Sequence, residues 1–124
     1  MRVFKTRPFE RFAARNGISD LMLCDAIDRA TAGLVDAHLG GGVIKQRIAR
    51  DGGGRSGGFR TIILLRSGSL AFFIYGFAKN ERDNIRRDEL AAFRQLATTM
   101  LSLDPIGIGR AVANGTITEV NCDA

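Results

Sequence analysis

Two apolar runs joined by a short turn constrain the fold of this chain more than any other feature. FRTIILLR (59–66) and LAFFIYGFA (70–78) are rich in β-branched and aromatic residues, and the RSGS between them, with Gly68, reads as a hairpin turn. Both strands are apolar at nearly every position rather than at every second one. A strand of that kind is central in its sheet and covered on both faces for part of its length. The rest of the chain must therefore supply helices to cover it.

The flanking sequence supplies them. RVFKT (2–6) predicts a short strand, and Pro8 either closes it or opens the next element. Residues 9–15 place Phe9, Phe12 and Ala13 on one helical side. Asn16-Gly17 is a stop signal. Ser19 then caps a helix whose apolar stripe reads Leu21, Cys24, Ile27, Thr31 and Leu34. HLGGG (38–42) reads as a turn. In VIKQRIAR (43–50), strand alternation puts Ile44, Gln46 and Ile48 on one face and Val43, Lys45, Arg47 and Ala49 on the other. DGGGRSGG (51–58) is too glycine-rich for regular structure and reads as a loop carrying Arg55. Asp88 is the expected N-cap of a helix over 89–101 with Leu90, Phe93, Leu96, Ala97, Met100 and Leu101 on its apolar face. Pro105 ends that region, a helical turn fits 108–113, and TITEV (116–120) predicts a last strand. The order β-α-α-β-β-β-α, with helices grouped before and after an antiparallel sheet, is an α+β pattern. The length, 124 residues, suits a single domain spanning 1–124.

Charge is sorted along the chain. Residues 43–87 hold ten Lys/Arg against three Asp/Glu, while the formal charge of the whole is +5. A concentration of cations beside the best strands favours an anionic partner, with nucleic acid ahead of a membrane. The longest apolar runs are too short to span a bilayer and the N-terminus lacks a signal-peptide core, so the expected location is cytoplasmic. Cys24 and Cys122 lie far apart, a disulfide is not expected, and Cys24 reads as a small buried hydrophobe. One histidine and two cysteines do not make a structural zinc site.

Three chemistries can be weighed against these residues. GGGRSGG lacks the GxxxxGK[ST] order and runs into a strand instead of a helix, so neither phosphate-loop pattern applies. A two-metal nuclease needs converging carboxylates, whereas Glu81, Asp83, Asp88 and Glu89 are interleaved with Arg82, Arg86 and Arg87. A basic, metal-free site can cleave RNA: it aligns the 2′-hydroxyl on its own phosphate, removes its proton, neutralises the phosphoryl oxygens and protonates the leaving 5′-oxygen. Lys45, Arg47, Arg60 and Lys79 lie in or at the ends of three adjacent strands and can share one sheet face. Arginine grips phosphate with a fork of donors, and a lysine crowded by other cations gives up its proton more readily. No cofactor is implied. The plain alternatives are a solvated strand face for Lys45 and Arg47, and a core aromatic for Tyr75, which can otherwise stack a base.

The stretch GFRTIILLRSGSLAFFIYGFAKNERDNI (58–85), with GGGVIKQRIARDGGGRSGG (40–58) before it and DELAAFRQLA after it, resembles the RelE/HigB-type toxins of bacterial type II toxin–antitoxin systems, in the RelE/ParE superfamily. The resemblance covers residues 2 to about 120, and YGFAKNERDNI is its most specific part. It implies a microbial ribonuclease fold and a metal-independent endoribonuclease, an mRNA interferase that inhibits translation, in many members on the ribosome. It also implies a cognate antitoxin, often with a helix-turn-helix domain. Carried over residue by residue, it assigns catalytic roles to Lys45, Arg47, Arg60 and Lys79. Taken with the shared strand face, this leads to the expectation that Arg47 and Arg60 hold the phosphate, Lys45 or Lys79 takes the 2′-hydroxyl proton, and Arg55 and Arg82 bind the RNA backbone, with Tyr75 stacking a base or hydrogen-bonding near the site. Some members carry a tyrosine or histidine near the C-terminus. This chain has neither after residue 101, so the resemblance names no proton donor. Two other readings remain: a gyrase-poison-like protein-binding toxin, and a member that binds RNA or antitoxin without cutting.

Overall fold

The computed structural model describes residues 1–49 and 58–122. The chain runs β1 (Arg2–Thr6), α1 (Arg7–Arg15), α2 (Asp20–Thr31), β2 (Ala37–Gly40), β3 (Val43–Ile48), β4 (Phe59–Arg66), β5 (Leu70–Ala78), α3 (Arg87–Met100), α4 (Pro105–Ala113) and β6 (Ile117–Glu119). The strands form one sheet in the order β2-β3-β4-β5-β1-β6. All pairings are antiparallel except β1 against β5, which is parallel. The expected α+β architecture holds.

Both faces of the sheet are covered, which accounts for the continuous apolar runs. On one face α1 and α2 bring Phe9, Leu23 and Ile27 against Ile44, Ile63 and Phe73. On the other, α3 and α4 bring Ala97, Met100 and Ile108 against Phe4, Val43, Leu64 and Phe72. Phe4, Phe9, Phe72 and Phe73 are fully buried, each stabilising by roughly 1.5–3 kcal/mol relative to exposure.

Local chemistry sets the element ends. Pro8 lies in the first turn of α1, where a missing N–H does no harm, and the Thr6 hydroxyl accepts from the Phe9 N–H. Pro105 likewise opens α4, where sequence reading made it a stop, because the Asp104 side chain accepts from the Gly107 N–H at 2.8 Å. The cap of α3 is Arg86, not Asp88. The Glu89 carboxylate reaches back to accept the Arg86 N–H at 2.7 Å, while Asp88 pairs with the Arg86 guanidinium.

Three further expectations are corrected. The α2 stripe is rotated: Leu21 and Leu34 are exposed, and the buried positions are Leu23, Cys24, Ala26, Ile27 and Ala30, whose alanines let the helix approach the sheet. HLGGG is partly strand, because β2 pairs with β3 before Gly40, Gly41 and Gly42 turn the chain at φ 85°, 65° and 84°. Cys24 and Cys122 form a disulfide with a Cα–Cα distance of 5.6 Å. β6 pairs with β1, and the Asn121 N–H donates to Asp20 at 3.3 Å, which returns the end of the chain to α2. Sequence distance had concealed spatial proximity.

Gln46 is fully buried on the α2 side, as the alternation placed it. Its Nε2 donates to the carbonyls of Ala26 and Leu34, both at 3.0 Å, and its Oε1 accepts the Asp36 N–H at 3.0 Å. Those bonds satisfy the side chain and fasten β3 to the end of α2.

Candidate anion-binding site

Strand register assembles the site. Arg47 on β3 pairs with Arg60 on β4, which pairs with Phe77 on β5; the next row is Lys45, Ile62 and Tyr75. Residues directly opposed in an antiparallel ladder share a face, so Lys45, Arg47, Arg60 and Tyr75 stand on one side of the sheet. The Lys79 N–H donates to the Gly58 carbonyl at 3.3 Å, one step beyond the ladder, and alternation assigns the exposed Lys79 to the Phe77 side. A Cβ on Gly58 would lie 2.7 Å from the Ile48 carbonyl oxygen, so glycine there lets β3 and β4 close up beside the arginines. Arg55, expected on the connecting loop, lies outside the described residues.

The two facing arginines are electrostatically incomplete. Arg60 is 9% exposed. Its Nη1 and the Nε of Arg47 are buried and have no hydrogen-bond partner among the described residues. Burial, and then the neighbouring Arg47 charge, hold the Arg60 guanidinium below its ordinary value, while Asp36 acts in the opposite direction. Arginine remains charged even so. The Arg47 backbone is fixed by Asp36, which accepts its N–H at 2.5 Å, and by Arg29, which donates to its carbonyl at 2.6 Å. Like charges opposed across strands, each with an unsatisfied donor, are unfavourable to one another unless a counter-charge lies near them.

The segment after β5 folds back over this face. The Lys45 Nζ donates to Asn84 Oδ1 at 3.4 Å. The Arg82 guanidinium lies over the rings of Tyr75 and Phe77, at 5.8 and 5.4 Å from their centroids. It donates to the Tyr75 hydroxyl at 2.8 Å, to both Glu89 oxygens at 2.6 and 3.1 Å, and to the Asn84 carbonyl at 3.0 Å. Arg82 is therefore at the site, with its fork held internally. Glu81 and Asp83 flank Arg82 in the sequence, yet its partner is Glu89. The available signal was its place three residues into α3, where a glutamate turns back toward the preceding chain.

Glu89 has a pH consequence. Hydrogen bonds from Arg82, and then from the Arg86 backbone, hold its carboxyl at about 2, below the usual 4.5. A carboxyl whose folded value lies below its unfolded value contributes stability that is present above the unfolded value and lost as pH falls through the folded one. Urea midpoints are therefore expected to fall between pH 4.5 and 2, and the Glu89→Gln protein is expected to show a shallower fall across that window. Parallel curves for the two proteins would show that the pair contributes nothing.

His38 pairs with Ile44 and so lies on the opposite side of the sheet from Lys45. No group of three or more metal-ligating side chains is clustered among the described residues, and no helix among them is long and apolar enough to cross a membrane. An apolar groove of about 510 Å³, lined by Ile74, Phe93, Leu96 and Met100 among others, lies apart from the facing arginines. Residues 1–120 match the family described as the RelE toxin of the RelE / RelB toxin-antitoxin system. No curated protein matches the chain.

Proposed function

The chain belongs to the RelE toxin family, and from that premise we propose that it is the toxin of a type II toxin–antitoxin pair and a metal-independent endoribonuclease that cuts mRNA. The observation that carries this reading is the facing pair of a half-buried Arg47 and a buried Arg60, two guanidinium groups opposed on one sheet face beside Lys45. In this reading a scissile phosphate is held by the pair, and charge that builds on its oxygens in the transition state is stabilised by two fixed positive charges. Lys45 or Lys79 takes the 2′-hydroxyl proton. The products are a 2′,3′-cyclic phosphate and a 5′-hydroxyl. The partners in this reading are mRNA, bound free or on the ribosome, and a cognate antitoxin with a helix-turn-helix domain, all in the cytoplasm. An inhibitor of this face must carry acidic groups to cover its cations.

The test is incubation with mRNA in excess chelator, with and without ribosomes, and then analysis of the fragment ends. Cyclic-phosphate ends are expected, together with resistance of RNA carrying a 2′-deoxy nucleotide at the cut. Intact RNA in both reactions, with translation or gyrase supercoiling still inhibited, would instead establish a toxin that acts by binding a protein.

A further inference from the structure

We infer that the Tyr75 hydroxyl is the group that protonates the leaving 5′-oxygen. The inference rests on the ribonuclease reading and assigns the one role in it that has no residue.

The direction of one hydrogen bond is the starting point. Arg82 Nη1 lies 2.8 Å from the Tyr75 oxygen. Arginine has donors and no acceptor, so the phenol oxygen accepts and its own hydrogen points elsewhere. No acceptor for that hydrogen is present among the described residues. The ring is held against Phe77 and Phe93, with centroids 6.0 and 5.8 Å away, and Arg82 lies over it. Tyr75 thus presents a fixed O–H on the cationic face.

Its position suits the reaction. Lys45 and Tyr75 lie at opposite ends of one cross-strand row, on β3 and β5, with Ile62 of β4 between them. The adjacent row carries the Arg47–Arg60 pair. Attacking and leaving oxygens must lie on opposite sides of the phosphorus, and a proton acceptor on the β3 side with a donor on the β5 side meets that requirement. As the 2′-oxygen bonds to phosphorus and the bond from phosphorus to the 5′-oxygen breaks, the Tyr75 proton passes to that oxygen. The resulting phenolate sits against the Arg82 guanidinium. Glu89, bound to two Arg82 nitrogens, keeps that guanidinium in place. A tyrosine serving only as packing needs no such cation on its oxygen.

The test compares an ordinary RNA with one whose 5′-bridging oxygen at the cut is sulfur, a leaving group that departs without a proton. Wild-type protein is expected to cut both. Tyr75→Phe keeps the ring and is expected to lose about 100-fold or more on the oxygen substrate while staying within about threefold of wild type on the sulfur one. An equal loss on both substrates, or no loss on the oxygen one, overturns the role of Tyr75. Wild-type protein that cuts neither overturns the ribonuclease reading, and this assignment with it. A matched urea midpoint for the two proteins shows that the ring still packs.

Discussion

Arg60→Ala is expected to lower RNA cleavage by about 100- to 1,000-fold, the range found when one preorganised donor to a developing oxyanion is removed. It is expected to do so without lowering stability. Arg60 is nearly buried, faces a second cation and leaves one nitrogen unpaired among the described residues. Truncating it removes a like-charge contact and an unsatisfied donor, both unfavourable in the folded protein. The urea midpoint of the variant should therefore equal or exceed that of wild type while activity collapses. Arg60→Lys restores a point charge without the planar fork and should recover only part of the rate. Cleavage by the alanine protein within about threefold of wild type would remove Arg60 from the site, and a lowered midpoint would show that the packing of its stem outweighs the relief of like-charge repulsion.

The second large effect concerns the Cys24–Cys122 disulfide. Its partners are separated by 98 positions, and closing a loop of about that length limits the unfolded chain by roughly 4–5 kcal/mol in the chain-entropy picture. Reduction is expected to lower unfolding free energy by about 2–5 kcal/mol, read from urea curves with and without dithiothreitol. The double replacement Cys24→Ala and Cys122→Ala should be equally destabilised and indifferent to reductant. Among the contacts that hold the end of the chain besides this bond are the three-residue β6, the Val120 N–H to the Val3 carbonyl at 2.8 Å and the Asn121–Asp20 contact. Fraying should therefore begin there, and earlier exchange of the Val120 amide after reduction would show it. Coincident curves in the two redox states would mean that the bond adds nothing. Disulfides are uncommon in reducing compartments, so the same comparison reports how the protein's stability differs between oxidising and reducing conditions.

Much of the site was legible in the sequence because a strand has a simple period. Alternation put Lys45 and Arg47 on one face, and the apolar run 59–66 left Arg60 as the only cation in its interior. What periodicity could not show was contact between segments distant along the chain. The rotation of α2 depends on Ala26 and Ala30, whose small side chains give a weak apolar signal yet permit the closest approach. The α3 cap was misplaced by two residues because Glu89 bonds backward, which neither Asp88 nor Arg86 announces. The disulfide follows from β6 pairing with β1, a long-range event with no local signature. The Tyr75–Arg82–Glu89 chain was visible only as separate residues, since its geometry depends on the segment after β5 folding over the sheet.

The parallel pairing of β1 bears on the timing of synthesis. The first strand made has its partners at residues 70–73 and 117–119. At about 5–20 residues per second, β1 waits roughly 3–13 s for the first of them to be polymerised, and longer for the second. The β2–β5 meander, with Arg47 and Arg60 in it, is joined by neighbouring segments and can pair well before the chain ends. Until β5 is made β1 has nothing to pair with; once it is, β1 closes the β5 edge, and the outer edge of β1 stays open until residues 117–119 are polymerised. The nascent protein thus carries the paired arginines on an unfinished sheet, and the outer edge of β1 remains available to another chain until β6 arrives.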